Sequence, residues 1–511
     1  MRLCPVFPIL TADITFTYAN SVSNSTLTTP DTDGNWQSPY TQIRNCNNLL
    51  EKASASTLGS SIQVYIAEAK FFRAFNYWSL YHLYGGVPLV TRVLDTNSEE
   101  LYGARNTAKE TVDFILQDLK EAVPNLPEEK DVPTASKGRI TRGAANALMA
   151  RVALFEGTWR KFRNESDASA YLDMAVEAAS TVIGSGQYSL FTALGADSYR
   201  LLFIDEGDDA PECILDRRYE RYVQSHSFPE ANVQIGASTN PTKRLVDMYL
   251  CSDGLPIDKS SLFQGYETRT SEYQNRDPRM TQTVLIPGTA IYQLLQQTEP
   301  MESWPFYPQR VYETGYMIYK YCPQNPDYLM PPNHAQQTYD HHIIRYAEVL
   351  LILAEATYEK NESISDEVLD RTINLLRDRG GLTVHLSNAF VNANGLNMRE
   401  EIRRERTVEL AAEGFRRDDL NRWKTSETEL VKAVRGIKIV GTEWNEPIIV
   451  GIENKNPYLT PDWQNRTDAE GFIVCETAAF RSNFNPSKNY LRPIPAKQIQ
   501  LNPNLQQNPG W

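Results

Sequence analysis

The chain has 511 residues and a net charge of −13, from 51 Lys and Arg against 64 Asp and Glu. This length predicts roughly two to four domains or one large helical array, and a content of 41% hydrophobic and 23% charged residues excludes disorder, collagen and coiled coil. No window carries the ~18 apolar residues of a membrane-spanning helix, and the acidic balance argues against a nucleic-acid partner, which needs a basic face.

The first 35 residues are rich in Ser, Thr, Asn and Asp and read as loop. From Ile62 to Tyr84 two apolar stripes run at helical spacing, one through Ala67, Phe71, Trp78 and Tyr81 and one through Ala69, Phe72, Leu80 and Leu83. A helix with two such stripes is buried on two sides, as in stacked helical repeats, and Gly85-Gly86 followed by Pro88 ends it. A second helix is predicted from Thr107, an N-cap with Glu110 three residues on, to Ala122. Further pairs are predicted at Arg139–Phe155 with Ala168–Ile183, and at Ile343–Tyr358 with Ser365–Arg379, followed by one long amphipathic helix from about Met398 to Trp423. The Ala-rich first helices (AEAKFFRA, AANALMARVALF, YAEVLLILAEA) let neighbouring helices approach closely, the physics of a TPR-like hairpin without a fixed repeat length. Between Ser185 and Ile343, and again after Trp423, turn chemistry dominates, and loops of this length carry binding surfaces.

Six scattered cysteines form no CxxC and no metal-ligand spacing. There is no GxSxG, HExxH or Walker A loop. His341-His342 beside Glu348 suggests a metal only superficially, because adjacent histidines point to different faces; no metal and no cofactor are expected. The acidic stretch Asp205–Asp209 matches no EF-hand spacing. Asp418-Asp419 are neighbours on a helix and unlike a glycosidase pair, which comes from separate elements; ion pairing with Arg416, Arg417 and Arg422 is expected instead. Glu348 and Glu355 share one helix face, where Arg73 or Arg151 can meet them. EEIRRERTVELAAEGFRRDDLNRW repeats opposite charges at i,i+3 and i,i+4. Buried arginine networks joining the hairpins are the expectation.

Seven ordered segments are recognisable: WQSPYTQIRNCNNLL from Trp36, AEAKFFRAFNYWSLYHLYGGVPLVT from Ala67, SKGRITRGAANALMARVALFEGTW from Ser136, IIRYAEVLLILAEA from Ile343, INLLRDRGGL from Ile373, RRERTVELAAEGFRRDDLNRWK from Arg403, and YLRPIPAKQIQLNPNLQQNPGW from Tyr490. In them the chain resembles the SusD/RagB family of outer-membrane nutrient-binding proteins. The resemblance implies a mainly α fold, a single domain of TPR-like hairpins (36–184 and 340–424) with a large loop-rich ligand-binding lobe (185–339 and 425–511) and few short strands, after an N-terminal loop segment (1–35). It implies a non-enzymatic protein on the outer-membrane surface that binds oligosaccharides or other nutrients and passes them to a SusC-like TonB-dependent transporter. Cys4 follows Met1-Arg2-Leu3 and does not fit the family's lipidated cysteine, and the short stretch before Trp36 suggests a truncated family N-terminus, with part of the first helical unit missing.

Sugars offer C–H faces to aromatic rings and hydroxyls to amides, carboxylates and guanidiniums. The expected stacking platforms are Trp304 and Tyr307, then Tyr312, Trp444 and Trp463, with Arg44 and Asn45 as polar contacts. Trp78, Trp159, Trp423 and Trp511 are expected to be structural. The competing functions are an intracellular TPR-type protein-binding scaffold and a polysaccharide-degrading enzyme.

Overall fold

The structure, a computed structural model, describes residues 13–16, 21–24, 26–226, 240–291, 301–302, 313–324, 327, 336–446 and 456–511. Its first half is a run of paired helices: α1 (Gly34–Ser54), α2 (Gln63–Tyr84), α3 (Ala108–Ala122), α4 (Arg142–Lys161) and α5 (Ala168–Gly184). Asp33 caps α1 by accepting from the Asn35 amide, Thr107 and Glu110 form the reciprocal capping box of α3, and Thr141 caps α4. Small residues let α4 and α5 lie close: a side chain at Gly157 would meet Leu172 Cγ at 2.8 Å. The Gly85-Gly86 turn is needed for the same reason, since a Cβ on Gly86 would fall 2.1 Å from the Asn106 carbonyl oxygen.

Three short helices, α6 (Ser198–Leu201), α7 (Lys243–Met248) and α8 (Pro278–Thr283), lie in the loop-rich lobe. The chain then returns to the helical side with α9 (Tyr346–Asn361), α10 (Asp366–Asp370), α11 (Ile373–Gly380), α12 (Asn388–Ala393), α13 (Met398–Glu409) and α14 (Arg416–Arg422). Among the described residues the strands are short and pair antiparallel by twos: β1 (Thr15–Phe16) with β3 (Asn240–Pro241), β2 (Cys213–Arg217) with β6 (His341–Arg345), β4 (Ala290–Ile291) with β5 (Met301–Glu302), and β7 (Val434–Lys438) with β8 (Phe472–Glu476). α1 packs on α2, α2 on α3, α4 on α5 and α9, and α9 on α13. One apolar core runs through these helices, including Phe71, Tyr77, Leu148, Val152, Leu350 and Leu353. A second core fills the lobe around Leu245, Tyr249, Tyr316, Ile437 and Ile473.

Three predicted helices differ. The segment predicted as helix from Ile343 begins as β6, because its backbone pairs with β2 before Tyr346 starts α9. The segment from Ser365 splits into α10 and α11 at Arg371-Thr372, where Thr372 leaves helical geometry (φ −134°, ψ −90°). The long helix Met398–Trp423 breaks between α13 and α14, where Ala412 (φ +63°) and Gly414 (φ +91°) turn left-handed. The carbonyls freed by that break find donors: Lys320 Nζ donates to Ala411 O (3.0 Å), Tyr321 Oη to Ala412 O (3.2 Å) and Arg345 Nη2 to Glu409 O (2.9 Å).

The expected arginine networks are present and buried. Arg151 binds Glu348 through Nε and Nη2, each at 2.6 Å, joining α4 to α9. Arg73 joins α2 to α3 through Asp118 (2.7 and 2.8 Å) rather than meeting Glu348 or Glu355. Glu355 instead accepts from Arg422 Nη2 (2.7 Å) and Trp423 Nε1 (2.6 Å). Burial alone would raise the Glu355 carboxyl; the Arg422 charge reverses this and brings it to about 2. Glu409 sits at the hub, facing Arg279 (3.0 Å), Arg345 (2.8 Å) and Arg379. Glu212 on the lobe side binds Arg345 and Arg379, both at 2.8 Å, so the lobe and the hairpins share one network.

Candidate functional site

Trp304, Tyr307 and Tyr312 lie outside the described residues. Trp444 and Trp463 are corrected from platforms to packing: they retain 2% and 9% of their surface and belong to the lobe core. Tyr458 stands edge-on between them, with ring centroids 6.0 Å from Trp444 and 5.1 Å from Trp463. The Trp444 carbonyl is tied by Asn456 Nδ2 (2.8 Å), and Arg466 lies 4.3 Å over Trp463, so neither ring offers a face to a sugar. With strands this short, the lobe uses large rings to fill its interior. Arg44 and Asn45 are exposed on α1; Arg44 Nη1 donates to the Leu94 carbonyl (2.6 Å) and Asn45 Nδ2 to Gln42 Oε1 (3.4 Å).

A ring missed by the sequence reading stands at the tip of the turn 219–226. Tyr222 is 78% exposed and adopts φ +65°, a conformation costly for a residue with a Cβ. The turn is closed by Glu220 and Gln224, whose backbones exchange hydrogen bonds of 2.8 and 2.9 Å. Its base is aromatic and rigid: the Tyr219 ring meets His226 at 4.7 Å, and His226 meets Tyr339 at 4.6 Å. Burial lowers His226 to about 4, so this stack is uncharged at neutral pH. The only sequence signal was the Tyr-rich run RRYERYVQSH, which has no period and no motif.

A cavity of about 460 Å³ opens beside Gly34 and Ser38 of α1, within the ~300–1,000 Å³ usual for small-molecule sites. Its apolar wall includes Phe75, Trp78, Leu83 and Phe155 from α2 and α4, and Phe415 from the α13–α14 turn. Its polar wall includes Gln42, His82, Arg417, Asp418 and Arg492. His82 stacks on Trp78 (5.2 Å) and reaches Asp418 through Nδ1 (2.9 Å). Burial would raise the Asp418 carboxyl, but His82, Arg417 and Arg422 together more than offset it and the group is held below the ordinary carboxylate range. Glu413 is likewise lowered, against burial, by Arg345 and Lys320. Neither is the raised-pKa acid that glycoside cleavage requires.

Cys213, Asp216 and His342 cluster at the β2–β6 pair, with His342 Nδ1 3.0 Å from Cys213 Sγ and 2.8 Å from Asp216 Oδ1. His342 Nε2 lies 2.6 Å from the Leu202 carbonyl oxygen. Both ring nitrogens therefore face acceptors. Burial disfavours the charged ring, yet Cys213 and Asp216 hold its pKa well above the ordinary value. The His342 ring thus links Cys213 and Asp216 by hydrogen bonds, with the three ligand-type atoms within 4.8 Å of one another.

The family profile described as "SusD family" matches residues 211–511, more than half of the chain. The chain belongs to the SusD family. A second profile, described as "Starch-binding associating with outer membrane", matches residues 11–154. Among curated relatives, SusD-like protein P38 of Formosa agariphila is 26% identical over 446 residues, spanning 83% of this chain and 79% of that protein. A SusD-like protein of Bacteroides ovatus is 23% identical over 494 residues, spanning 93% of this chain and 80% of that protein. The same fold is seen in a SusD-like carbohydrate-binding protein of Bacteroides fragilis (TM-score 0.73, 23% identity, 99% of this chain and 90% of that one). It is also seen in surface glycan-binding protein A of Bacteroides uniformis (TM-score 0.62, 20% identity, 98% and 92%). Within this SusD-family chain, the hairpins place the cavity and the lobe places Tyr222.

Proposed function

We propose that this chain is a non-catalytic glycan-binding protein of the outer-membrane surface, which holds oligosaccharides or similar nutrients for a SusC-like TonB-dependent transporter. The observation that carries the reading is the exposed ring of Tyr222, braced on an aromatic base in the lobe of a SusD-family fold. A ring held in a strained turn is preorganised, so little freedom is lost when a sugar face stacks on it. Trp304, Tyr307 and Tyr312 are proposed as further stacking residues. The names of the carbohydrate-binding and glycan-binding relatives from B. fragilis and B. uniformis support the ligand class.

Native affinity gels containing a panel of plant and algal polysaccharides test the proposal. At least one polysaccharide is expected to retard the protein, and Tyr222→Ala or Trp304→Ala to weaken that retardation about 5- to 10-fold, the scale of one lost stacking contact. Release of reducing ends by the purified protein would instead establish an enzyme. Absence of retardation across the panel would remove the glycan assignment.

A further inference from the structure

The cavity beside α1 carries an unbalanced positive charge. Its wall carboxylates are already taken: Asp418 by His82 (2.9 Å), Asp419 by Arg406 (2.9 Å) and Arg422 (2.8 Å), and Glu413 by Arg345 (2.7 Å). Arg151 is likewise matched to Glu348. Two guanidiniums are left over. Among the described residues Arg417 makes no side-chain hydrogen bond and no ion pair, although it lines the cavity. Among the described residues the one ion pair of Arg492 is with Asp33, at 3.7 Å, and that carboxylate already accepts from Tyr84 Oη (2.6 Å) and the Asn35 amide (2.8 Å). Burial and then the Arg492 charge lower the Arg417 pKa, which Asp418 and Tyr84 only partly restore, to about 10. Two like charges held together on a half-buried wall ask for an anion.

We propose, resting on the glycan-binding reading above, that this cavity takes an acidic sugar, with Arg417 and Arg492 clamping a ring-borne oxyanion, a uronate carboxylate or a sulfate ester. A guanidinium fork suits either group. The cavity is much larger than a free inorganic anion needs, and its lining also carries apolar side chains, Phe75 and Leu83 among them, that suit the C–H face of a pyranose ring. At the mouth, Ser38 and Gln42 of α1 supply partners for hydroxyls. An occupant matched to this lining carries an anion, an apolar face and hydroxyls, which describes an acidic pyranoside.

Isothermal titration of the full chain tests this with trigalacturonate, its methyl ester, a sulfated galactose trisaccharide with its desulfated counterpart, and hexaglutamate as an acidic peptide. The acidic sugars are expected to bind at least 10-fold tighter than their neutralised counterparts, more weakly at high salt. The carboxylate and sulfate arms identify which oxyanion fits. Arg417→Gln and Arg492→Gln are each expected to lower that affinity 10-fold or more with unchanged circular dichroism, and Arg417→Lys to recover part of it. Equal affinity for acid and ester and for sulfated and desulfated sugar, or indifference to both Gln variants, overturns the proposal; hexaglutamate binding in place of the sugars assigns the cavity to a polypeptide and overturns it too. If neutral glycans still bind through Tyr222 while the acids gain nothing, only this inference falls. If no glycan binds at all, the functional reading falls with it.

Discussion

Arg416 and Arg417 are consecutive residues at the start of α14, yet they live in different regions of the molecule. Arg416 turns toward the N-terminal segment and α13, where Nε and Nη2 clasp Asp13 at 2.8 and 2.7 Å and Nη1 donates to Thr407 (2.9 Å). Arg417 turns toward the cavity and meets no acceptor. The same contrast holds on a larger scale. Behind the hairpins, Glu409, Glu405 and Glu212 serve Arg279, Arg345, Arg377 and Arg379 in a closed network. On the cavity wall, Arg417 makes no ion pair among the described residues and Arg492 has only a long one, to Asp33 at 3.7 Å. In one protein, then, arginine is both cement and bait, and the accounting of acceptors separates the two roles. Buried charges without partners are expensive, so a fold keeps an unserved pair only where solvent or a ligand can reach it.

The widest gap between the regions is expected at Glu409. Glu409→Ala takes one carboxylate from each of three buried guanidiniums and is expected to cost about 3–5 kcal/mol, the scale for breaking a buried ion pair, measured by urea unfolding. A loss under about 1 kcal/mol would mean the network is not what joins lobe to hairpins.

A second, smaller effect comes from carboxylates that sit outside the arginine network. Burial pushes Glu272 up from 4.5 to about 7, and Asp208 and Asp340 from 3.8 to about 7 and about 6. For such groups the folded state keeps a proton that the unfolded chain has released. The stability they contribute is full below their unfolded pKa and is lost as pH rises through the folded value, with a slope of up to ~1.4 kcal/mol per pH unit per group. Glu355 behaves oppositely: its contribution is full above 4.5 and is lost as pH falls toward 2. Thermal midpoints are therefore expected to peak near pH 4–5 and decline toward pH 7. Glu272→Gln, which keeps an acceptor for the Tyr316 hydroxyl (3.0 Å), should flatten that decline. A decline of unchanged steepness would show that Glu272 is ionised when folded.

Much of the cemented region was legible. The apolar stripes of α2, the Thr107–Glu110 capping box, the Ala-rich close approaches and the pairing of Arg151 with Glu348 all follow from spacing and residue type. What failed there was tertiary: AAEG reads as helix by propensity, but Lys320, Tyr321 and Arg345 collect the carbonyls of an early break. The ligand side was far less legible. Trp444 and Trp463 stand in turn-rich sequence that suggests exposure, yet short strands leave an interior only large rings can fill. Tyr222 sits in a charged run with no pattern, and its exposure comes from one left-handed residue. The cavity wall is drawn from stretches near 34–42, 75–83, 151–155, 413–419 and 492, so no local window contains it.

The smallest effect is the most discriminating. Replacing a buried, partnered arginine removes attraction, whereas replacing one on which a second cation acts more strongly than any single carboxylate removes repulsion as well. Arg417→Gln deletes a charge that burial and Arg492 already disfavour, and it leaves no acceptor stranded. Its stability is expected to stay within about 0.5 kcal/mol of the parent, as for substitutions away from any packed or paired feature, with a shift toward greater stability at low salt where the Arg417–Arg492 repulsion is least screened. Arg416→Gln, which takes from Asp13 its two-point partner and leaves it Arg244 alone (3.1 Å), is expected to lose clearly more. Should the two variants unfold at the same denaturant concentration, both below the parent, Arg417 would be part of the cement after all, and the cavity would have no cation to spare for a ligand.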